Sequence, residues 1–374
     1  MVQILIGAIS LYCLAILLMI VGFLALRLQK PIQKITKTTF SICIAFRNES
    51  ENLPALLKSL KALNYPKDLF EIILVNDYST DNSIEIITDF SLKNPHFEPK
   101  IKVLSQKLNS ASGKKAALNL AFKNAKNEFI VTTDADCIVP KTWLNDLNAF
   151  ILLKQKTFIA APVALLATAT SFLNQFQQLD FLSLQGATIG AFGIKKPFLC
   201  NGANLAFSKA EFFRLKGYEG NLGIASGDDI FLMQKFLQDN TKNVGYLKSK
   251  NSIVLTQPQH SWNQLINQRK RWAAKASKYQ SFTASLISWT VFLANFSFIL
   301  AIFYLQTSNF LIGALLLKIL VDFLIIVLTA RFFGKKSYLL GYLGSFLFYP
   351  FFTIYIAISS QLQPFIWKER QLKK

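Results

Sequence analysis

The sequence predicts an α/β domain with a mainly parallel sheet, flanked by transmembrane α-helices. Three observations predict it. Between residues 38 and about 280, short apolar runs alternate with amphipathic stretches, the pattern of strands and helices wound into one sheet. Outside that region the apolar runs lengthen enough to cross a bilayer as helices. Polar and acidic residues cluster directly after several of the short runs, where open α/β sheets bind ligands.

In chain order, Ile4 to Leu26 gives 23 residues without a charge, sufficient for one span. Arg27, Lys30, Lys34 and Lys37 follow and put that end in the cytoplasm by the positive-inside tendency. A cleaved signal peptide needs a basic start, a shorter apolar run and a small-residue cleavage site, all missing here. Ser41 to Phe46 reads as a strand, Leu53 to Leu63 as a helix, Phe70 to Val75 as a strand and Ser83 to Phe90 as a helix. Ile101 to Leu104 is a short strand, Lys114 to Asn124 a helix, and Glu128 to Thr133 a strand running into Asp134-Ala135-Asp136. Three apolar stretches close the chain, Phe282 to Leu305, Phe310 to Leu328 and Tyr338 to Leu362. The expected division is an anchor and basic linker over 1–37, an α/β domain with an interfacial helix over 38–280, and membrane helices with a basic tail over 281–374.

One span before the domain and three after it would leave Lys368, Arg370, Lys373 and Lys374 outside, against the positive-inside tendency. Either Tyr338 to Leu362, which holds Gly341, Gly344 and Pro350, or Phe282 to Leu305 is then expected to lie in the interface or fold back. Lys318 and Asp322 stand four apart in the second stretch, on one helix face. Charges at membrane depth turn inward and pair; a structural ion pair and a role at a lipid substrate are both open.

Composition narrows the function. The chain of 374 residues is 52% hydrophobic with 34 Phe, and its mean hydropathy is +0.33; part of that apolar surface is expected to face lipid. The formal charge is +20, from 41 Lys+Arg against 21 Asp+Glu. Such a surface suits nucleic-acid phosphates or anionic lipid headgroups. The long apolar segments favour lipid, no zinc-finger, bZIP or RNP signature is present, and no nucleic-acid partner is expected. Cys13, Cys43, Cys137 and Cys200 are too widely spaced for a C-x-x-C site and read as free thiols. Two histidines, His96 and His260, leave acid–base chemistry mainly to carboxylates.

Four constellations carry chemistry. Asp134-Ala135-Asp136 puts two carboxylates at a strand end, oxygen ligands for Mg²⁺ or Mn²⁺ bridging to substrate phosphates, or else an Asp-rich turn. Ser226-Gly227-Asp228-Asp229 precedes the amphipathic Ile230 to Leu237, so its carboxylates can cap that helix, act at a cleft, or both. Gln268-Arg269-Lys270-Arg271-Trp272 offers a diphosphate fork and an aromatic face; with Lys275 and Lys278 it reads equally as a basic interfacial helix. Ser112-Gly113-Lys114-Lys115 has the look of a phosphate loop, but Leu108 and Lys115 break the motif.

In this order and spacing the residues resemble glycosyltransferase family 2, whose fold is GT-A. Ile42 to Glu49, with Ala45, Arg47 and Glu49, looks like the family's opening strand and N-E loop. Ile73 to Asp81, with Asp77, resembles its nucleotide-binding loop, and Gly113 to Asn119, with Lys114, its glycine-lysine helix start. Asp134 and Asp136 match its D-x-D, Asn201-Gly202-Ala203-Asn204 a donor/acceptor loop, and Gly227-Asp228-Asp229 its base motif. Gln268 to Trp272 fits the Q-x-x-R-W of membrane-bound members. Asn76 stands where the first Asp of a frequent pair would be, and Asp228 replaces a commoner Glu.

The resemblance covers about residues 40 to 280 and implies a metal-dependent hexosyltransferase in the cell (inner) membrane, multi-pass, with a cytoplasmic catalytic domain. It implies a nucleotide-diphosphate sugar donor, most often a UDP-sugar, and a lipid or polysaccharide hydroxyl as acceptor. Ala45, Arg47, Glu49, Asp77, Lys114 and Asp134 would hold the donor, and Asp136 with Asp134 the Mg²⁺ or Mn²⁺. Asp229, next to Asp228, would be the base, while Asn201, Gly202, Gln268, Arg271 and Trp272 would serve the diphosphate and acceptor. Two alternatives stay open: a polyprenyl-phosphate sugar synthase, and a non-catalytic membrane-tethered protein that binds nucleic acid or anionic lipid.

Overall fold

The computed structural model describes residues 1–29, 38–99, 101–106, 113–167, 171–220, 227–274, 281–362, 365–367 and 370–372. Lys30, Lys34, Lys37, Leu108, Ser112, Ser226, Lys275, Lys278, Lys368, Lys373 and Lys374 lie outside the described residues.

The chain begins with α1 (Val2–Ala25), β1 (Phe40–Phe46), α2 (Leu53–Lys61), β2 (Phe70–Asn76), α3 (Ser83–Lys93), β3 (Ile101–Ser105), α4 (Lys114–Asn124) and β4 (Phe129–Thr132). It continues through β5 (Cys137–Ile138), α5 (Trp143–Lys154), β6 (Phe158–Ala160), β7 (Val163–Leu165), α6 (Phe172–Gly193), β8 (Leu205–Ser208), α7 (Lys209–Arg214), α8 (Asp228–Asp239), β9 (Val244–Tyr246) and β10 (Val254–Thr256). It closes with α9 (Trp262–Ala274), α10 (Phe282–Ala301), α11 (Asn309–Phe333), α12 (Tyr342–Leu362), β11 (Phe365–Trp367) and β12 (Arg370–Leu372). The chain divides into two compact units, residues 28–166 with 200–257, and residues 1–27, 167–199 and 258–374.

The first unit is the α/β domain. Among the described residues its main sheet runs β3-β2-β1-β4-β8-β6-β9. β1 pairs in parallel with β2 and β4, and β2 with β3, as the alternating pattern predicts. The far half is mixed: β8 is antiparallel to β4 and β6, and β9 is parallel to β6. A second small sheet runs β5-β10-β7. β1 reads FSICIAF and β2 FEIILVN, nearly continuous apolar runs suited to burial on both faces. Register aligns their ends, Phe46 opposite Asn76 and Asn76 opposite Ser105. The residues that follow, Arg47, Asp77 and Gln106, therefore emerge along one rim. Behind the sheet Phe122 of α4 meets Phe207, Phe212 and Tyr218 at ring separations of 5.4, 5.0 and 5.9 Å. Burying each such ring stabilises the unit by about 2 kcal/mol and fixes α4 against β8.

The second unit is helical. The helical stretches Val2–Ala25, Phe282–Thr307, Asn309–Phe333 and Tyr338–Leu362 are long and apolar enough to cross a membrane. The last includes α12, which continues through Pro350 as one helix. Lys318 and Asp322 face inward, as expected of charges at that depth: Lys318 Nζ lies 2.7 Å from Asp322 Oδ2, and Tyr12 of α1 donates to Asp322 Oδ1 at 2.6 Å. The Lys318 ammonium also sits over the rings of Tyr12, Phe298 and Phe346. α1 crosses α6 through glycines. A Cβ on Gly22 would lie 2.0 Å from Gly190 O, and one on Gly193 would lie 1.9 Å from Gly22 O, so no larger residue fits without parting the helices. The four cysteines are buried free thiols.

Candidate active site

The rim of the α/β sheet collects most of the expected residues. β1 ends in the turn Arg47-Asn48-Glu49, and β2 in Asp77-Tyr78-Ser79; Asn48 and Tyr78 both take positive φ, +50° and +57°. Side chains lock the two turns together. Arg47 Nη1 donates to the carbonyls of Asp77 and Tyr78 at 3.0 and 2.7 Å. Asn48 Oδ1 accepts from Thr80 N at 2.9 Å, and Asn76 Oδ1 from Ser79 N at 2.8 Å. Asn76 thus caps its own turn, a role that an Asp carboxylate would fill equally. Asp81 accepts from the amides of Ser50 and Ser83. Burial alone would raise the Asp81 carboxyl, but hydrogen bonds from Ser83 and Ser50 hold it below the usual carboxylate value. Glu49 accepts from Asn52 at 2.7 Å, and Ala45 is half-buried on β1 opposite Val75.

Asp77 is fully buried. Its Oδ1 accepts from Gly113 N at 3.0 Å and Gln106 Nε2 at 3.3 Å. Gly113, at φ +104°, opens α4, a conformation that favours glycine. Asp77 thereby fixes where α4 starts and where Lys114 stands. Lys114 Nζ lies 2.6 Å from Asp134 Oδ1 and 3.3 Å from Asp228 Oδ2. Burial would lower the Lys114 ammonium, but Asp134 and then Asp228 outweigh it and hold it above the ordinary lysine range. One cation thus joins the D-x-D turn to the start of α8.

Gly202 completes the cluster. Its N–H donates to Asp229 Oδ2 at 3.2 Å, and its carbonyl accepts from Thr132 Oγ1 of β4 at 2.8 Å. Asp229 Oδ1 accepts from Ile230 N at 2.7 Å. A Cβ on Gly202 would stand 3.3 Å from Asp228 Oδ2 and 3.6 Å from Lys114 Nζ. Asn201 Oδ1 caps the turn by accepting from Ala203 N at 3.0 Å. Asn204 anchors it from behind: its Oδ1 accepts from Trp143 Nε1, and its Nδ2 donates to the carbonyls of Pro162 and Ser252, each at 2.8 Å. Burial, then Asp228 and Asp229, push the Tyr218 phenol well above its usual value, which keeps it neutral beside the acidic pair.

Among the described residues no group of three His, Cys, Asp or Glu side chains forms a ready metal cage. The two carboxylates of the D-x-D fit a different arrangement. Asp134 and Asp136 are half-buried at the end of β4, and Asp134, Asp228 and, at longer range, Asp229 act on the Lys114 ammonium. Hard divalent cations are often bound by one or two carboxylates plus substrate phosphates. The Cys137 thiol donates to Asp136 Oδ1 at 3.6 Å. Burial, then Asp136 and Asp134, push that thiol well above its usual value.

Asp77, Lys114, Asp134, Asp228, Asp229 and Gly202 are thus brought together. Gln268, Arg271 and Trp272 belong to α9 of the helical unit, where they are half-buried while Arg269 and Lys270 are buried. Sequence reasoning missed the roles of Asn204 and Asp81, although both stood inside quoted motifs; Asn turns to a structural hub only through partners distant in sequence.

Residues 41–172 match glycosyl transferase family 2, and residues 129–367 match glycosyl transferase family group 2. The chain belongs to glycosyltransferase family 2 and is a glycosyltransferase. It is similar to the probable glycosyltransferase YdaM of Bacillus subtilis, with 27% identity over 62% of this chain and 54% of that protein. It is also similar to the poly-beta-1,6-N-acetyl-D-glucosamine synthase of Staphylococcus epidermidis, with 40% identity over 26% of this chain and 22% of that one. An undecaprenyl-phosphate 4-deoxy-4-formamido-L-arabinose transferase of Yersinia pestis is 35% identical over 29% of this chain and 31% of its own. The chain thus spans about half or less of the length of these curated relatives. The fold matches the mannosyltransferase PcManGT of Pyrobaculum calidifontis, solved with GDP-Man and Mn2+, at a TM-score of 0.59 and 17% identity over 92% of this chain and 98% of that one.

Proposed function

We propose that this chain is a membrane-bound inverting glycosyltransferase that moves a sugar from a nucleotide-diphosphate sugar, a UDP-sugar in the first instance, onto a hydroxyl of a lipid or polysaccharide acceptor. The observation that carries this reading is the cluster in which Lys114 bridges Asp134 and Asp228 while Gly202 N–H holds the adjacent Asp229. Relatives named as a poly(ribitol-phosphate) beta-N-acetylglucosaminyltransferase and a poly-beta-1,6-N-acetyl-D-glucosamine synthase support a sugar transfer with a polymer among the acceptors.

In this reading the loops after β1 and β2, with Ala45, Arg47, Glu49 and Asp77, take the nucleoside. Asp134 and Asp136 would hold a Mg²⁺ or Mn²⁺ that, when bound, supplies positive charge to the leaving diphosphate. Asp229, oriented by Gly202 N–H, accepts the acceptor hydroxyl's proton. The oxygen attacks the anomeric carbon opposite the diphosphate, the bond to the diphosphate breaks, and the anomeric configuration inverts. Asp228 and Lys114 hold the base and the D-x-D in register. The family resemblance assigns Gln268, Arg271 and Trp272 to diphosphate and acceptor, with Arg271 as the charge donor to the departing group.

The test is nucleoside-diphosphate release from UDP-sugars and GDP-mannose, with membrane lipid extract and Mn²⁺. Asp229→Asn is expected to lower kcat by about a hundredfold or more; wild-type turnover in that variant sinks the base assignment. Metal-stimulated activity that survives Asp136→Ala sinks the metal assignment. Chloroform-soluble labelled product identifies a lipid acceptor, including a polyprenyl phosphate as in the Yersinia relative, and ethanol-insoluble product a polymer. We place the α/β domain on the cytoplasmic side of the cell membrane, as the basic run after α1 suggests. A Glu51→Cys variant would then react with a membrane-impermeant maleimide only after permeabilisation; labelling in intact cells refutes that orientation.

A further inference from the structure

The first and last side chains of the Q-x-x-R-W element are both held by a residue that the motif leaves unspecified. Arg269 donates through Nη1 to Gln268 Oε1, and its guanidinium carbon lies 4.3 Å from the centre of the Trp272 ring. The same guanidinium is anchored on α6, where Nε and Nη2 reach Asp180 Oδ2 at 2.7 and 2.5 Å. Phe181, next to Asp180, flanks the indole at 6.4 Å. Arg269 and Asp180 are each only 6% exposed. A buried ion pair gives little net stability compared with an apolar pair of similar volume, so stability alone is a weak reason for this one. What it does supply is direction: the rigid, planar guanidinium hydrogen-bonds and stacks at once, which an ammonium cannot do.

We infer that Arg269, anchored by Asp180, is the positioning residue of this element: it fixes the Gln268 amide and the Trp272 indole in one arrangement on α9. This rests on the reading above that Gln268 and Trp272 serve the transfer. Arg269 itself is buried and acts through its two neighbours.

The test uses the full chain in detergent, with UDP-sugars and GDP-mannose, membrane lipid extract and Mn²⁺. Two readouts are taken, the kcat and acceptor KM, and the acrylamide quenching of Trp272 obtained by subtracting the matching Trp272→Phe protein. Arg269→Lys and Asp180→Asn are expected to lower kcat by about ten- to a hundredfold, the scale set by a misplacement of order 1 Å, with increased quenching of Trp272. Because either single change leaves a buried charge without its partner, the double variant Asp180→Asn/Arg269→Gln serves as the folded control: both charges go and a polar pair remains. It is expected to melt near the wild type while kcat stays low and Trp272 stays quenchable. Wild-type turnover or unchanged Trp272 quenching in that double variant overturns the inference, since Arg269 would then only balance Asp180. Gln268→Ala and Trp272→Phe set the benchmark. If these two turn over like the wild type, the transfer role of the element fails, and the quenching data still decide whether Arg269 orders the indole.

Discussion

Asn204 offers the sharpest quantitative test of how the rim is held. It is completely buried, and its amide makes three contacts of 2.8 Å, accepting from Trp143 and donating to Pro162 and Ser252. Asn204→Ala removes all three, but their consequences differ. The Trp143 indole is itself fully buried, so its N–H loses its acceptor at about 1–3 kcal/mol. The buried Ser252 carbonyl loses its donor at a similar cost of about 1–3 kcal/mol. Pro162 O still accepts from Val254 N at 3.1 Å and adds little. The expected destabilisation is therefore about 4 kcal/mol, large against the whole stability of a domain. Asn204→Asp keeps the acceptor for Trp143 but turns a carboxylate toward two carbonyls, and is expected to be no better. Both are read by denaturant unfolding of the full chain in detergent, alongside nucleoside-diphosphate release. Because Gly202 sits two residues away and orients Asp229, kcat of the folded fraction falls as well. A loss below about 1 kcal/mol with unchanged kcat would refute the reasoning that isolated buried polar groups are expensive here.

Gly202→Val is expected to lower kcat at least about tenfold with a stability loss of about 1–3 kcal/mol, because its first carbon already stands 3.3 Å from Asp228 Oδ2; full activity would show that the acidic cluster yields. Burial lowers the Lys248 ammonium to about 8, below its unfolded value of about 10.4. The unfolded chain therefore binds the extra proton between those values, and stability rises with pH across that window. Lys248→Met is expected to be more stable relative to the wild type at pH 7 than near pH 10.4, and thermal melts in which the difference is independent of pH would contradict this. Lys318→Met leaves Asp322 buried with the Tyr12 hydroxyl and is expected to cost about 3–5 kcal/mol, whereas Lys318→Met/Asp322→Leu recovers most of it; equal melting temperatures for the single and double variants would argue against a structural pair.

The half of the sheet that was legible in sequence is the parallel half. β1 and β2 are apolar runs closed by polar residues, and α4 starts and stops where Gly113 and the periodicity of Lys114 to Asn124 place it. The acidic rim was legible for the same reason, since strand ends fix where a following carboxylate emerges. β5 to β10 are two to four residues long and pair with partners far along the chain, too short for any period to show. α6 was hidden by its own polarity: Gln177, Gln178, Asp180 and Gln185 look like a solvated face but are buried. Their partners lie far away, with Arg269 89 residues from Asp180 and Gln259 82 from Gln177, and no local spacing announces such pairs.

The glycine crossing of α1 and α6 has a consequence in time. α1 emerges from the ribosome early, while Gly190 and Gly193 of α6 follow some 170 residues behind Gly22. Until then the notch at Gly22 lacks the glycines that close it. The first helix is therefore inserted well before it is assembled, and it is a segment lying between two strands of the α/β domain that closes it. Nascent chains halted before residue 186 should leave a cysteine substituted for Met19, the neighbour of Gly190, open to a membrane-permeant maleimide, and chains released after α6 should protect it.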